Sequence, residues 1–166
     1  MMLYFCRHGI AAEAQGKMGD ALRPMTPGGV KKFRKAARGF VEMGPKVSHV
    51  LTSPLLRARQ TAEILTEALE QEERQVKLEI SESLAPGTKL EAFLQTLRGL
   101  KNMAGVVAVG HEPTLSEWVK GLCFDGKGSV EMKKGAIAGI ELDPRMKSGT
   151  LVFLLQPKQL RGLGRA

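Results

Sequence analysis

The tripeptide Arg7-His8-Gly9 follows directly on the apolar run Met2-Leu3-Tyr4-Phe5-Cys6, and a second histidine, His111, follows another apolar run, Val106-Val107-Ala108-Val109-Gly110. If both runs are parallel strands of one sheet, both imidazoles stand at its carboxyl edge, where open α/β sheets hold their ligands. Arginine brings fixed charge and a fork of donors, and a neutral imidazole can attack phosphorus. Two imidazoles and at least one guanidinium at that edge therefore suit a dianionic phosphoryl centre. The third histidine, His49, opens its own short run and falls at the entering end of a strand. It reads as structural, and no metal site is expected from His8, His49 and His111. Cys6 alternates with Arg7 along the strand, so its thiol points to the other face and reads as core rather than nucleophile.

The elements that must position these residues follow from spacing. Met2 to Cys6 is a buried strand, and the next element begins only at Thr26-Pro27, an N-cap residue followed by proline at the first helical position. The long intervening loop holds Gly16 and Gly19, and loops of this length in compact domains often border a binding site. From Pro27 to about Met43, Val30, Phe33, Ala37, Phe40 and Val41 recur on one helical face until Gly44-Pro45 stops the helix. His49 to Thr52 is a short strand, after which Ser53-Pro54 repeats the cap-then-proline signal for a helix running to about Glu70, with Arg57 in its first turn. Val76 to Ile80 alternates like a half-buried strand, and Thr88 with Glu91 predicts a capping box for a helix burying Leu90, Phe93, Leu94, Leu97 and Leu100.

Gly105 to Val109 is the continuous β-branched run of a central strand covered on both faces. Glu112-Pro113-Thr114 opens another helix, and Ala136 to Leu142 with Thr150 to Gln156 form a C-terminal antiparallel hairpin. The order implies an α/β fold in three layers, a mostly parallel sheet with helices on both faces. One domain over residues 1–157 and a basic tail over 158–166 are expected; the tail has too little apolar content for an element to be assigned.

Composition narrows the function classes. A chain of 166 residues, 43% apolar and 25% charged, is globular and buries a core without disulfides. Two cysteines with no Cys-x-x-Cys motif fit a reducing cytoplasm, and the five-residue apolar start is neither a signal peptide nor a membrane span, so no membrane partner is expected. The net charge of +8 would fit nucleic acid, an acidic protein or a phosphorylated substrate. Its clusters at Lys31 to Arg38, Lys133-Lys134 and Lys158 to Arg165 carry no series of base-stacking aromatics, so they read as solvated faces and no nucleic-acid partner is expected.

Four blocks together resemble the histidine phosphatase superfamily, and most of all its small SixA-type phosphohistidine phosphatase branch. They are Arg7-His8-Gly9, Arg23-Pro24-Met25-Thr26 leading into the first helix, Ser53 to Thr61 after the second strand, and Gly110-His111-Glu112-Pro113 after the fourth, in the family's order across residues 2–113. The resemblance implies a phosphoglycerate mutase-like fold and His8 as a nucleophile that is transiently phosphorylated. It also implies Arg7, Arg57 and His111 around the phosphoryl oxygens, with no metal or cofactor. Arg23 belongs to the motif and either borders the phosphate pocket or ties the long loop to the helix.

Larger superfamily members use a carboxylic acid to protonate the leaving oxygen. Glu82, after the third strand, is either that acid or a polar loop residue. Alkyl phosphates need such an acid, whereas phosphohistidine leaves as an imidazole and depends on it less. The short connections after the third and fourth strands leave no room for a large lid. The expected substrate is therefore a phosphohistidine-bearing signalling or phosphotransfer protein, with phosphate or another small anion in the site; a small-molecule phosphomonoester phosphatase or mutase is the alternative.

Overall fold

The computed structural model describes residues 1–71 and 75–164. Arg165, the end of the basic stretch, lies outside the described residues. The strands are β1 (Met2–Arg7), β2 (His49–Thr52), β3 (Lys77–Ile80), β4 (Gly105–Gly110), β5 (Ile137–Leu142) and β6 (Gly149–Leu155). The helices are α1 (Pro27–Glu42), α2 (Leu56–Glu70), α3 (Leu90–Gly99), α4 (Thr114–Cys123) and α5 (Pro157–Leu163), with one-turn 3-10 helices at Asp20–Leu22 and Glu82–Leu84. One sheet runs in the order β3-β2-β4-β1-β5-β6. Its first four strands are parallel, and the terminal hairpin adds β5 antiparallel to β1 and then β6. The expected mostly parallel α/β sheet with its closing hairpin is the observed fold.

Strand periodicity divides the core between the two faces. Tyr4 and Cys6 of β1 join Val107 and Val109 of β4 under α1, α2 and α5, beside Phe33, Phe40, Leu65 and Leu160. Leu3 and Phe5, with Val106 and Ala108, face α3 and α4 and meet Phe93, Leu97, Leu115 and Trp118. β1 and β4 thus lose both faces to helices, which is why neither run alternates with polar residues. The sheet ends are also level. Arg7 lies opposite Gly110 and Thr52 opposite Val109, so the residues that follow, His8, His111 and Ser53, emerge side by side from three adjacent strands.

Three local expectations are corrected. Ser53 does not cap α2: Leu55 is the N-cap residue, and the Ser53 hydroxyl is engaged elsewhere. Thr88 and Glu91 form no capping box, because the Thr88 hydroxyl turns back to the Ser83 and Ala85 carbonyls while Glu91 pairs with Arg98 at 2.7 Å. Both errors share a cause, since a hydroxyl before a helix serves a carbonyl or another side chain as readily as the helix N-terminus. The stretch after Pro157 is not featureless either. It forms α5, closed by a capping box between Gln156 and Gln159, and buries Leu160 completely against α1. Gly39 permits this approach, since a Cβ there would overlap the Leu160 carbonyl.

Candidate active site

The edge formed by β2, β4 and β1 brings His8, Arg7, Arg57 and His111 together. The two imidazoles lie with ring centroids 5.1 Å apart, about the separation of neighbouring strands. Both are buried. His8 Nδ1 is 2.7 Å from the Gly9 carbonyl, and its Nε2 receives the Arg57 Nε–H at 3.3 Å. A carbonyl only accepts and a guanidinium only donates, so the two contacts together fix the tautomer. Nδ1 carries the proton, and the Nε2 lone pair accepts the Arg57 Nε–H. A Cβ on Gly9 would meet only the flexible end of the Met25 side chain, and the Gly9 N–H is held at 3.0 Å by the Thr61 hydroxyl, which in turn donates to the Arg57 carbonyl at 2.7 Å. Thr61 thus couples the β1 turn to the first turn of α2.

His111 is oriented by Ser53, whose Oγ lies 2.7 Å from His111 Nε2. Ser53 is fully buried, and its oxygen already accepts the Leu55 N–H at 3.3 Å. Among the described residues its hydrogen has no other acceptor, which assigns it to Nε2 and the His111 proton to Nδ1. That Nδ1 is one of few buried polar atoms without a partner among the described residues; another is Arg7 Nε. The remaining fork of Arg7 is anchored by Nη1 to the Met132 carbonyl at 2.8 Å. Unpaired buried donors are costly, and these two stand at the same sheet edge with Arg7 close enough to act on both imidazoles, an arrangement suited to an acceptor that binds from outside.

Electrostatics agree with the geometry. Burial pushes His8 down to about 3, a carbonyl hydrogen bond partly opposing it and the nearby His111, Arg57 and Arg7 adding to it. His111 falls to about 4, first from burial and then from Arg57, with Asp20 pulling the other way. Both imidazoles are neutral at pH 7, one offering a lone pair and the other a donor.

The sequence-predicted residues divide clearly. Arg57 is buried in the first turn of α2, whereas Arg59 of the same turn is exposed. His49 stands at the amino edge of the sheet with its Nδ1 2.9 Å from the Ser48 hydroxyl, away from the other histidines. Cys6 is fully buried on the α1–α2 face, and burial pushes its thiol far up, out of reach of ionisation. Glu82 lies at the carboxyl edge beyond β3 and is exposed, and its side chain makes no hydrogen bond or ion pair among the described residues. Arg23 braces the long loop from within. Its Nη1 reaches the Ala12 carbonyl at 3.1 Å and ties the long loop, while its Nε bonds Asp20 Oδ1 at 2.8 Å. Asp20 is bound in turn to Arg57, through Oδ2 at 3.1 Å and its backbone carbonyl at 2.9 Å.

Ser53 and Asp20 are site residues that the sequence reading missed. Ser53 carried a signal, because it follows the strand next to β4 just as His111 follows β4 itself. Asp20 carried none, as one acid in a polar loop.

A model of the histidine phosphatase superfamily (branch 1) matches residues 3–85. The chain belongs to the histidine phosphatase superfamily. It is 38% identical to an uncharacterised protein of Picosynechococcus sp. (strain ATCC 27264 / PCC 7002 / PR-6), over 96% of this chain and 99% of that one. It is 29% identical to the phosphohistidine phosphatase SixA of Escherichia coli (strain K12), over 97% of both. The solved structure of the protein histidine phosphatase SixA complexed with tungstate superposes with a TM-score of 0.84 at 29% identity, covering 96% of this chain and 99% of that one. The chain is thus a phosphatase of the SixA type within the superfamily. No helix among its described residues is long and apolar enough to cross a membrane.

Proposed function

We propose that this phosphatase removes phosphate from phosphohistidine on a signalling or phosphotransfer protein, without a metal, through a phosphohistidine intermediate on His8. The observation that carries the reading is the His8 imidazole, held as the Nδ1–H tautomer by the Gly9 carbonyl with its Nε2 lone pair directed at Arg57. In the first step the Arg57 Nε–H lets go of the Nε2 lone pair and turns to a phosphoryl oxygen, Nε2 forms a bond to phosphorus as the bond from phosphorus to the substrate imidazole breaks, and that imidazole takes a proton from solvent. In the second, water attacks the phosphorus, Nε2 departs with its electron pair, and phosphate leaves. Arg57, Arg7 Nε and His111 Nδ1–H hold the equatorial oxygens as charge redistributes between them. Binding of tungstate, a phosphate analogue, by the SixA relative supports an oxyanion in this place.

The substrate class follows from what stands near the leaving group. Glu82 is exposed and has no hydrogen bond or ion pair to any of the four residues, which fits a reaction whose leaving imidazole needs no dedicated acid. The connections that follow β3 and β4 are short and raise no lid, so a residue carried on a folded protein can reach His8. The experiment is phosphate release from a histidine-phosphorylated phosphotransfer protein beside an aryl phosphate, with His8→Ala and Glu82→Gln. Fast release from the protein substrate that needs His8 and tolerates Glu82→Gln is expected. Efficient turnover of small esters that collapses in Glu82→Gln, with the phosphoprotein ignored, would move the assignment to a small-molecule phosphatase.

A further inference from the structure

The donors that this reading assigns to phosphate are not all empty. Arg57 places Nη2 on the Asp20 carboxylate and Nη1 on the Asp20 carbonyl, and the other carboxylate oxygen is held by Arg23. Asp20 thus accepts from two guanidiniums at once, as a phosphoryl group would, and its charge also reaches His111. The carboxylate remains an anion there. Desolvation pushes it upward, but the hydrogen bonds from Arg57 and Arg23 outweigh this and hold it below the usual carboxylate range.

We infer that Asp20 is a built-in counter-anion, occupying the Arg57 fork in the empty site and withdrawing when a dianionic phosphoryl group arrives. The inference rests on the phosphate-binding role of Arg57 proposed above. Its physical basis is an asymmetry of burial. Arg57 is only 6% exposed and cannot follow a partner outward, whereas the Asp20 side chain is 62% exposed. The 3-10 turn that carries it, Asp20–Leu22, buries none of its residues, and Leu22 is 63% exposed. A segment with so little buried surface moves at low cost, while the guanidinium it leaves is already aimed. Freeing the whole fork requires both Asp20 contacts to break, because the carbonyl bonds one of its nitrogens and the carboxylate the other.

Two consequences follow. In the empty enzyme the buried cation is never without an anion. In the filled enzyme only a ligand that interacts with Arg57 and Arg23 better than a carboxylate does can displace Asp20, which raises the threshold against weakly charged anions. Asp20 is therefore a specificity-determining residue that acts through Arg57.

Titration calorimetry of the full chain with tungstate and with inorganic phosphate tests this in the wild type, Asp20→Asn and Asp20→Glu. Because the side chain is exposed, none of these changes endangers the fold. Removing two partly exposed ion pairs is expected to tighten tungstate and phosphate binding by roughly three- to tenfold in Asp20→Asn. The gain shrinks as salt is added, and Asp20→Glu, which restores the charge, returns affinity towards the wild-type value. Equal affinities in wild type and Asp20→Asn would overturn the inference, as would weaker binding in Asp20→Asn, which would make Asp20 a support of the pocket. The phosphatase reading is judged separately by His8-dependent phosphate release. Release with equal anion affinities removes only the counter-anion; absence of both release and anion binding removes the phosphate site itself.

Discussion

Replacing Ser53 by alanine isolates the part of the site that orients His111. The hydroxyl sits 2.7 Å from His111 Nε2 in a place with no solvent, so its removal gives the imidazole two choices. It keeps the proton on Nδ1 and leaves Nε2 buried without a partner, or it moves the proton to Nε2 and presents a lone pair to the phosphoryl oxygens. The first costs about 1–3 kcal/mol for an unsatisfied buried group. The second turns a donor into a repulsive acceptor, and the protein adopts whichever is cheaper. At about 1.4 kcal/mol per factor of ten, kcat/KM is expected to fall roughly ten- to a hundredfold. Global stability drops by about 1–2 kcal/mol as the Leu55 N–H also loses its acceptor. The assay is steady-state phosphate release from the phosphoprotein for wild type, Ser53→Ala, His111→Ala and the double variant, with urea unfolding alongside. Since Ser53 works through His111, the double variant is expected to be no slower than His111→Ala. A Ser53→Ala enzyme within twofold of wild type, or losses that simply add, would refute the tautomer assignment.

Three further outcomes are expected. Lowering pH should destabilise the fold through His8 and His111. Their folded values of about 3 and 4 lie below the ordinary imidazole value, so the unfolded chain binds more protons than the folded one below about pH 6.5. Their contribution is intact above pH 6.5 and is lost progressively as pH falls towards 4 and then 3; urea midpoints at pH 7.5, 5.5 and 4.5 measure it, with the His8→Ala/His111→Ala variant showing a shallower decline. Gly39→Ala forces a Cβ into the Leu160 carbonyl and should lower stability by about 1–3 kcal/mol in thermal unfolding, loosening α5 without touching the catalytic edge. Under native conditions an alkylating reagent should modify the partly accessible Cys123 and spare the fully buried Cys6, as peptide mass analysis would show; rapid labelling of Cys6 would mean that the β1 face opens.

Local chemistry made much of this protein readable before any tertiary contact was known. Two uninterrupted apolar runs ending in histidine are buried strands because both faces of β1 and β4 are covered, and parallel strands with level ends necessarily place His8 and His111 side by side. The stripes of α1 and α2 were equally plain, because a helix shows its buried face at a fixed spacing. Hydroxyl and loop chemistry was not readable in the same way. Ser53 looks like a helix cap from its neighbours in sequence, and only the parallel pairing of β2 with β4 delivers it to His111. Asp20 lies 37 residues from Arg57, in a polar loop with no periodicity, and nothing local marks it as that guanidinium's partner. Leu160 is one of two leucines in a short basic stretch, and its burial depends on Gly39 leaving space for its backbone on another helix. Sequence by itself determined the strand ends and the types of group they carry, since these depend on periodicity along the chain. Tertiary structure alone decided which polar groups meet, because a hydrogen bond is satisfied by whichever partner the fold brings within 3 Å.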